Sequence, residues 1–210
     1  MRTRIKICGI TSIDDAHAAI EAGADALGFV MYRASPRFVD WRQLAAIVQA
    51  MPPFVQRVGL WVDPGADDVR EVLEQVPLDL LQFHGHEEAS FCRGFRLPYL
   101  KALPMAAGVD VAAVAARYAD AAALLLDTYV AGLAGGTGQV FDWDLVPKRC
   151  ARPLVLAGGL SMDNVGDAIA VAQPYAVDVS GGVERAKGSK DPAKMRAFVA
   201  AVRKADEKRC

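Results

Sequence analysis

The chain has few of the groups that build metal clusters or disulfide frameworks. Its four cysteines, Cys8, Cys92, Cys150 and Cys210, are scattered over 210 residues without a C-x-x-C pair. No metal is therefore assigned, and a reducing cytoplasm fits this cysteine usage. Of the three histidines only His84 and His86 are close in sequence, which falls short of a metal-ligand set. An excess of charge is missing as well: 24 Lys and Arg stand against 25 Asp and Glu, a net charge of −1. Without a basic stripe, nucleic acid is not an expected partner, and an anionic ligand must be held by a few local groups. The most apolar stretch, Ala121 to Leu126, is bounded by Asp120 and Asp127 and is too short to cross a bilayer. The N-terminal residues are charged and lead straight into a strand pattern, so neither a secretory signal nor a membrane partner is expected.

What the sequence has is apolar content and alternation. Hydrophobic residues make up 53%, enough for one sizeable core and short for two domains. Strand patterns begin near Arg4, Asp25, Phe54, Leu78, Leu97, Ala122, Pro153 and Tyr175, and each is followed by a helical stretch. Ser12 or Thr11 can cap the first helix, Asp142 a short one and Asp191 the last. Strands alternating with helices predict a parallel sheet. A count of eight predicts an α/β chain folded as one (β/α)8 TIM barrel over residues 1–210, with a charged run Arg203 to Cys210 that frays. A doubly wound open sheet is the alternative, but no G-x-G-x-x-G follows the first strand.

In a barrel of this kind the C-terminal strand ends open onto the functional face. The unusual residues fall there: Cys8 after the first strand, Arg37 after the second, His84 after the fourth and Asp127 after the sixth. Gly158-Gly159 follows the seventh, and Ser180-Gly181-Gly182 follows the eighth. Glycine pairs at those two positions suit phosphate, because the backbone can approach it closely. Asp127 ends an apolar run, so poor solvation is expected to keep it protonated, although a helix-capping or salt-bridged role is the commoner one for aspartate. Cys8 alone reads as a small buried hydrophobe; as a base it needs a cation or helix start that favours the thiolate. Together, a neutral Asp127 and an ionised Cys8 form a general acid–base pair. Arg37, on a loop stiffened by Pro36, can hold a carboxylate by two hydrogen bonds or lie on the surface. His84 reads as a structural or substrate-lining group.

Several motifs together carry a resemblance. They are Lys6-Ile-Cys-Gly-Ile-Thr11, Ser35-Pro-Arg37, Val58-Gly59, Gln82-Phe-His-Gly85 with Glu87, and Leu126-Asp127. Further along come Gly135-Gly-Thr-Gly138 with Phe141-Asp-Trp143, Leu156-Ala-Gly-Gly-Leu160 with Asn164-Val165, and Asp178-Val-Ser180 with Gly182-Val-Glu184. Nearly end to end, the chain resembles the phosphoribosylanthranilate isomerases of tryptophan biosynthesis. The resemblance implies an Amadori rearrangement of an aminoaldose phosphate to an aminoketose phosphate, with no cofactor. It implies Asp127 as the acid that opens the ribose ring and Cys8 as the base at ribose C2. It also implies Arg37 at the anthranilate carboxylate, and Gly159 and Gly181 with neighbouring backbone at the phosphate. The chain departs from the pattern at Gly181, where a second Ser is common, at Lys187, where Pro is common, and at Phe83, where Leu is common. A monomer or weak homodimer is expected.

Other sugar-phosphate barrels fit less well. An indoleglycerol-phosphate synthase would need a Lys paired with Glu at strand ends. Lys6 lies within a strand, and Lys101 shows no carboxylate partner in the sequence. A pentose-phosphate epimerase would need metal-ligand spacing that is missing. A non-catalytic phosphoribosyl-binding scaffold would have no reason to keep both Cys8 and Asp127.

Overall fold

The computed structural model describes residues 2–106, 108–128 and 140–209. The Gly135-Gly-Thr-Gly138 motif and Cys210 lie outside them. Eight parallel strands close into a barrel in sequence order: β1 (Arg4–Cys8), β2 (Ala26–Val30), β3 (Gln56–Trp61), β4 (Leu80–Phe83), β5 (Tyr99–Met105), β6 (Ala123–Thr128), β7 (Leu154–Leu156) and β8 (Ala176–Val179). Closure is made by β8 on β1, with Lys6 opposite Asp178 and Ile7 opposite Val179. The open-sheet alternative is thereby removed.

Helices α1 (Ile13–Ala22), α2 (Trp41–Ala50), α3 (Ala66–Gln75), α4 (Ala89–Cys92) and α5 (Val111–Arg117) follow β1 to β5 in turn. Among the described residues a 3-10 turn, Trp143–Leu145, precedes β7, and α6 (Val165–Ala172) and α7 (Pro192–Glu207) follow β7 and β8. The caps are chemical. Ser12 accepts from the Asp15 N–H, Asp40 from Gln43, and Asp142 from Asp144. Asp191 accepts from Ala193 and Lys194, with Pro192 at the first helical position where its missing N–H costs nothing.

Alternation along the strands sorts side chains into two compartments. Ile5, Ile7, Leu27, Phe29, Leu81 and Phe83 face the helices and form the main core. Ala26, Val58, Leu80, Leu100, Ala123 and Val155 face inward and fill the lower barrel. Further up the same inward rows stand Cys8, Gln82, Asp127 and Asp178, all buried. The lower interior is thus apolar and the upper interior polar.

Two features differ from the sequence reading. A hairpin of β9 (Glu184–Ala186) and β10 (Ser189–Lys190), turned at Gly188 with φ +79°, lies between β8 and α7, where the sequence patterns assign no element. The charged C-terminal run does not fray over its described part. It is helical to Glu207, and Asp206 accepts from the Thr3 N–H and from Thr3 Oγ1, each at 2.7 Å. Those two bonds bind the end of α7 to the start of β1. Replacing Asp206 by Ala should lower stability by about 1–3 kcal/mol, because a buried N–H loses its acceptor; an unchanged denaturant midpoint would show that this clasp contributes nothing.

Candidate active site

Each site residue is placed by its strand. Cys8 and Asp127 are the last inward-facing residues of β1 and β6, and His84 continues the inward row of β4. Arg37 comes from the loop after β2, and Ser180 from the step past β8. Cys8, Arg37, His84, Asp127, Asp178 and Ser180 line one cavity at the barrel mouth. A second cavity shares Asp127, Asp178 and Ser180 with it and is walled by Gly158, Gly159 and Gly181. The two adjoin, so acid, thiol and glycine pairs border a continuous space.

The glycines are there for space and backbone geometry. Gly158 and Gly159 have φ of +82° and +63°. A Cβ on Gly158 would collide with Thr128 Oγ1 and lie 2.5 Å from the Thr128 nitrogen. One on Gly182 would collide with the Leu160 carbonyl oxygen. Gly181 is different: its Cβ would meet only Arg37 Nη2, at 3.6 Å, so the position has room for a side chain. Asn164 steadies this corner by accepting from the Ser161 N–H and donating to the Gly159 carbonyl. Among the described residues the Gly159 N–H donates to no protein acceptor, which leaves it for an anion.

Asp127 is not left bare against its apolar strand. Its Oδ1 accepts from the Thr128 N–H at 2.8 Å, and its Oδ2 lies 3.0 Å from His84 Nε2. Behind the imidazole, Gln82 Nε2 lies 2.9 Å from His84 Nδ1. With the Gln82 amide nitrogen donating to Nδ1, a neutral ring carries its proton on Nε2 and donates to Asp127. Gln82 Oε1 is buried without a partner among the described residues. Turning that amide over would present Oε1 to an Nδ1–H and leave Nε2 to accept from a protonated Asp127. His84 therefore lies in line behind the acid. His86, by contrast, points to solvent beside Asp63, so the two histidines do not converge on one ion.

Arg37 is already half engaged. Its Nε and Nη2 donate to the two Glu184 oxygens at 2.7 and 2.8 Å. Arg37 is therefore not an ordinary surface side chain, and its Nη1/Nη2 edge remains for the two parallel hydrogen bonds of a ligand carboxylate. Lys190 donates to the same carboxylate at 3.0 Å and to the Ser180 carbonyl at 3.1 Å, so the hairpin fixes both Arg37 and Ser180. Burial pushes the Glu184 carboxyl upward, but Arg37 and Lys190 more than reverse this and hold it below the ordinary carboxylate range.

The thiol departs from expectation. No helix start touches Cys8, since α1 begins at Ile13. Burial pushes the Cys8 thiol upward, and the Lys6 ammonium is the largest influence opposing it, followed after Asp178 by the cation of Lys190. Lys6 and Asp178 were missed as site residues. The available signal was the period of two, which puts Lys6 on the same face as Cys8. Lys101 does have a carboxylate partner: its Nζ donates to Glu87 Oε2 at 2.8 Å and to the Gly85 carbonyl at 2.6 Å. That pair sits outside the barrel wall, against the Tyr118 ring, and cannot reach the mouth.

Gly158→Ala should destabilise the fold and abolish inorganic phosphate binding, because it strains both φ and the contact with Thr128. Gly181→Ala should change neither by more than about twofold, since the N–H is kept and the space is open. Calorimetric titration with phosphate distinguishes them, and equal behaviour of the two variants would refute this division of roles.

Comparison with known proteins gives one answer. The family model for N-(5'-phosphoribosyl)anthranilate isomerase matches residues 5–201. The N-(5'-phosphoribosyl)anthranilate isomerase of Pseudomonas putida F1 is 60% identical over 202 residues, spanning 96% of this chain and 98% of that protein. The crystal structure of phosphoribosyl anthranilate isomerase from Thermotoga maritima superposes with a TM-score of 0.88 at 39% identity, covering 96% of this chain and 99% of that one. A phosphoribosyl anthranilate isomerase crystallised with reduced 1-(o-carboxyphenylamino)-1-deoxyribulose 5-phosphate superposes at 0.86 with 38% identity, over 96% of this chain and 99% of that one. On this evidence, added to the closed barrel and its polar mouth, the chain belongs to the N-(5'-phosphoribosyl)anthranilate isomerase family.

Proposed function

We propose that this chain catalyses the Amadori rearrangement of N-(5-phosphoribosyl)anthranilate to 1-(2-carboxyphenylamino)-1-deoxyribulose 5-phosphate, in the cytoplasm and as a step of tryptophan synthesis. The observation that carries the reading is the convergence of Cys8, His84 and Asp127 on one cavity that adjoins the glycine-walled one. The phosphate sits against Gly159, Gly181 and their neighbours, and the anthranilate carboxylate meets the Nη1/Nη2 edge of Arg37. Asp127, backed by His84, protonates the ribose ring oxygen; the C1–O bond breaks and a Schiff base forms at C1. Cys8 as thiolate takes the proton from C2, and the electron pair left behind neutralises the iminium as the enolamine. Tautomerisation of the enol to the ketone completes the step with no net change in protons. The active form is a monomer or a weak homodimer.

Generating the substrate in situ and following loss of its fluorescence tests the activity directly. Cys8→Ala and Asp127→Asn should each lower turnover by about a hundredfold or more while sparing binding of a product analogue. Retained turnover in both would end this mechanism. The pH dependence of turnover should be bell-shaped. Burial raises the Cys8 thiol, so less thiolate exists at a given pH and the rising limb is displaced to the alkaline side. A flat profile through neutral pH would contradict a limiting acid–base step.

A further inference from the structure

Directly below Cys8, on the same inward row of β1, the Lys6 ammonium donates to Asp178 Oδ1 at 2.9 Å. Both partners are buried, and they are in-register neighbours across the seam that closes the barrel. A buried ion pair is weak evidence of a stabilising role, since desolvation offsets most of the attraction. Its position is more informative. The spot that a Cβ on Gly28 would occupy lies 2.7 Å from Cys8 Sγ and 3.0 Å from Lys6 Nζ. Gly28, opposite Cys8 on β2, therefore leaves open the space the two groups share. Among the described residues, Asp178 is the one oxygen partner of the Lys6 ammonium, so two of its N–H groups are left over beside the sulfur.

The other charges near the thiol are committed elsewhere. Lys190 is bound to Glu184 and to Ser180, and Arg37 to Glu184. Asp178 is the carboxylate facing from β8. Lys6 is thus the cation that shares with Cys8 the space left by Gly28.

We propose that Lys6, anchored by Asp178, is the positioning residue whose charge favours the Cys8 thiolate needed for proton abstraction. The inference rests on Cys8 being the base. Burial favours the neutral thiol, and the ammonium offsets part of that penalty without touching the substrate. Gly28 is part of the device, because any side chain there would wedge the pair apart.

The test reads the thiol and the turnover separately, in the full chain. Thiolate ultraviolet absorbance is followed against pH, using the matching Cys8→Ala protein as the blank. Lys6→Met should move the midpoint up by about one pH unit or more. The rising limb of turnover should move with it, so that activity lost at neutral pH returns at alkaline pH while KM stays within about twofold. Should Lys6→Met fail to fold with Asp178 left unpaired, Lys6→Met/Asp178→Asn removes both charges and restores packing. The double variant should melt like the wild type and keep a smaller upward displacement of the thiol midpoint, since the Asp178 charge that raises the thiol goes with the larger Lys6 influence that lowers it. If it recovers the wild-type midpoint and limb, or if Lys6→Met leaves both unmoved, Lys6 merely neutralises Asp178 and the proposal is overturned. Turnover surviving in Cys8→Ala would instead remove the base itself, an outcome the thiol titration does not depend on.

Discussion

Pairing of β8 with β1 closes the sheet, and the chemistry depends on that seam. It sets Lys6 against Asp178 and brings the residues after β8 beside those after β1. Ser180 Oγ would lie 3.0 Å from a Cβ on Gly9, and Arg37 passes over the same glycine. Two residues separated by most of the chain thereby border one cavity. The register is strict, because a slip of one residue along β1 would turn Cys8 and Lys6 outward and Ile7 into the mouth. The apolar outward row, Ile5 and Ile7 against the helices, is what forbids the slip.

Buried charge is distributed unequally around the barrel. Lys6 with Asp178, and Arg37 and Lys190 with Glu184, stand at the mouth, while Lys101 with Glu87 stands behind the wall. The last of these closes off the β4 loop. Glu87 accepts from the N–H groups of Asp63 and Gly85, so one carboxylate holds the turns after β3 and β4 together. His84 is carried at the base of that turn, which gives the imidazole a rigid mount. The same pairing chemistry fixes a scaffold in one place and leaves valences for a ligand in the other. The difference lies in whether each donor is satisfied by the protein alone.

The fold was legible because it depends on local signals. Continuous apolar runs such as Ala26 to Val30, and caps such as Ser12 and Asp191, report their elements without tertiary knowledge. The β9–β10 hairpin was not legible. Its residues are charged and its strands very short, and what folds it is burial of Lys190 under Ser180, which no local pattern encodes. Cys8, Arg37, His84 and Asp127 could be singled out as polar or reactive residues at strand ends. Lys6 and Asp178 could not be paired, because parallel neighbours at opposite ends of a chain share no sequence spacing. The direction of the Cys8 shift was missed for a related reason: burial depth is set by the whole ring of strands. Likewise, the partner of Lys101 becomes visible only once β4 and β5 are adjacent.

The bidentate contact between Arg37 and Glu184 bears on recognition. A long, flexible guanidinium side chain normally gives up considerable rotamer freedom when it meets a ligand. Here that freedom is surrendered during folding, since the Nε edge is clamped and the end edge is left facing the mouth. An incoming planar acid would encounter a receptor already frozen in the correct attitude. On the function proposed above, a sugar phosphate without that acid would leave the guanidinium end facing no counter-charge, and the clamp on Arg37 would be the source of that discrimination.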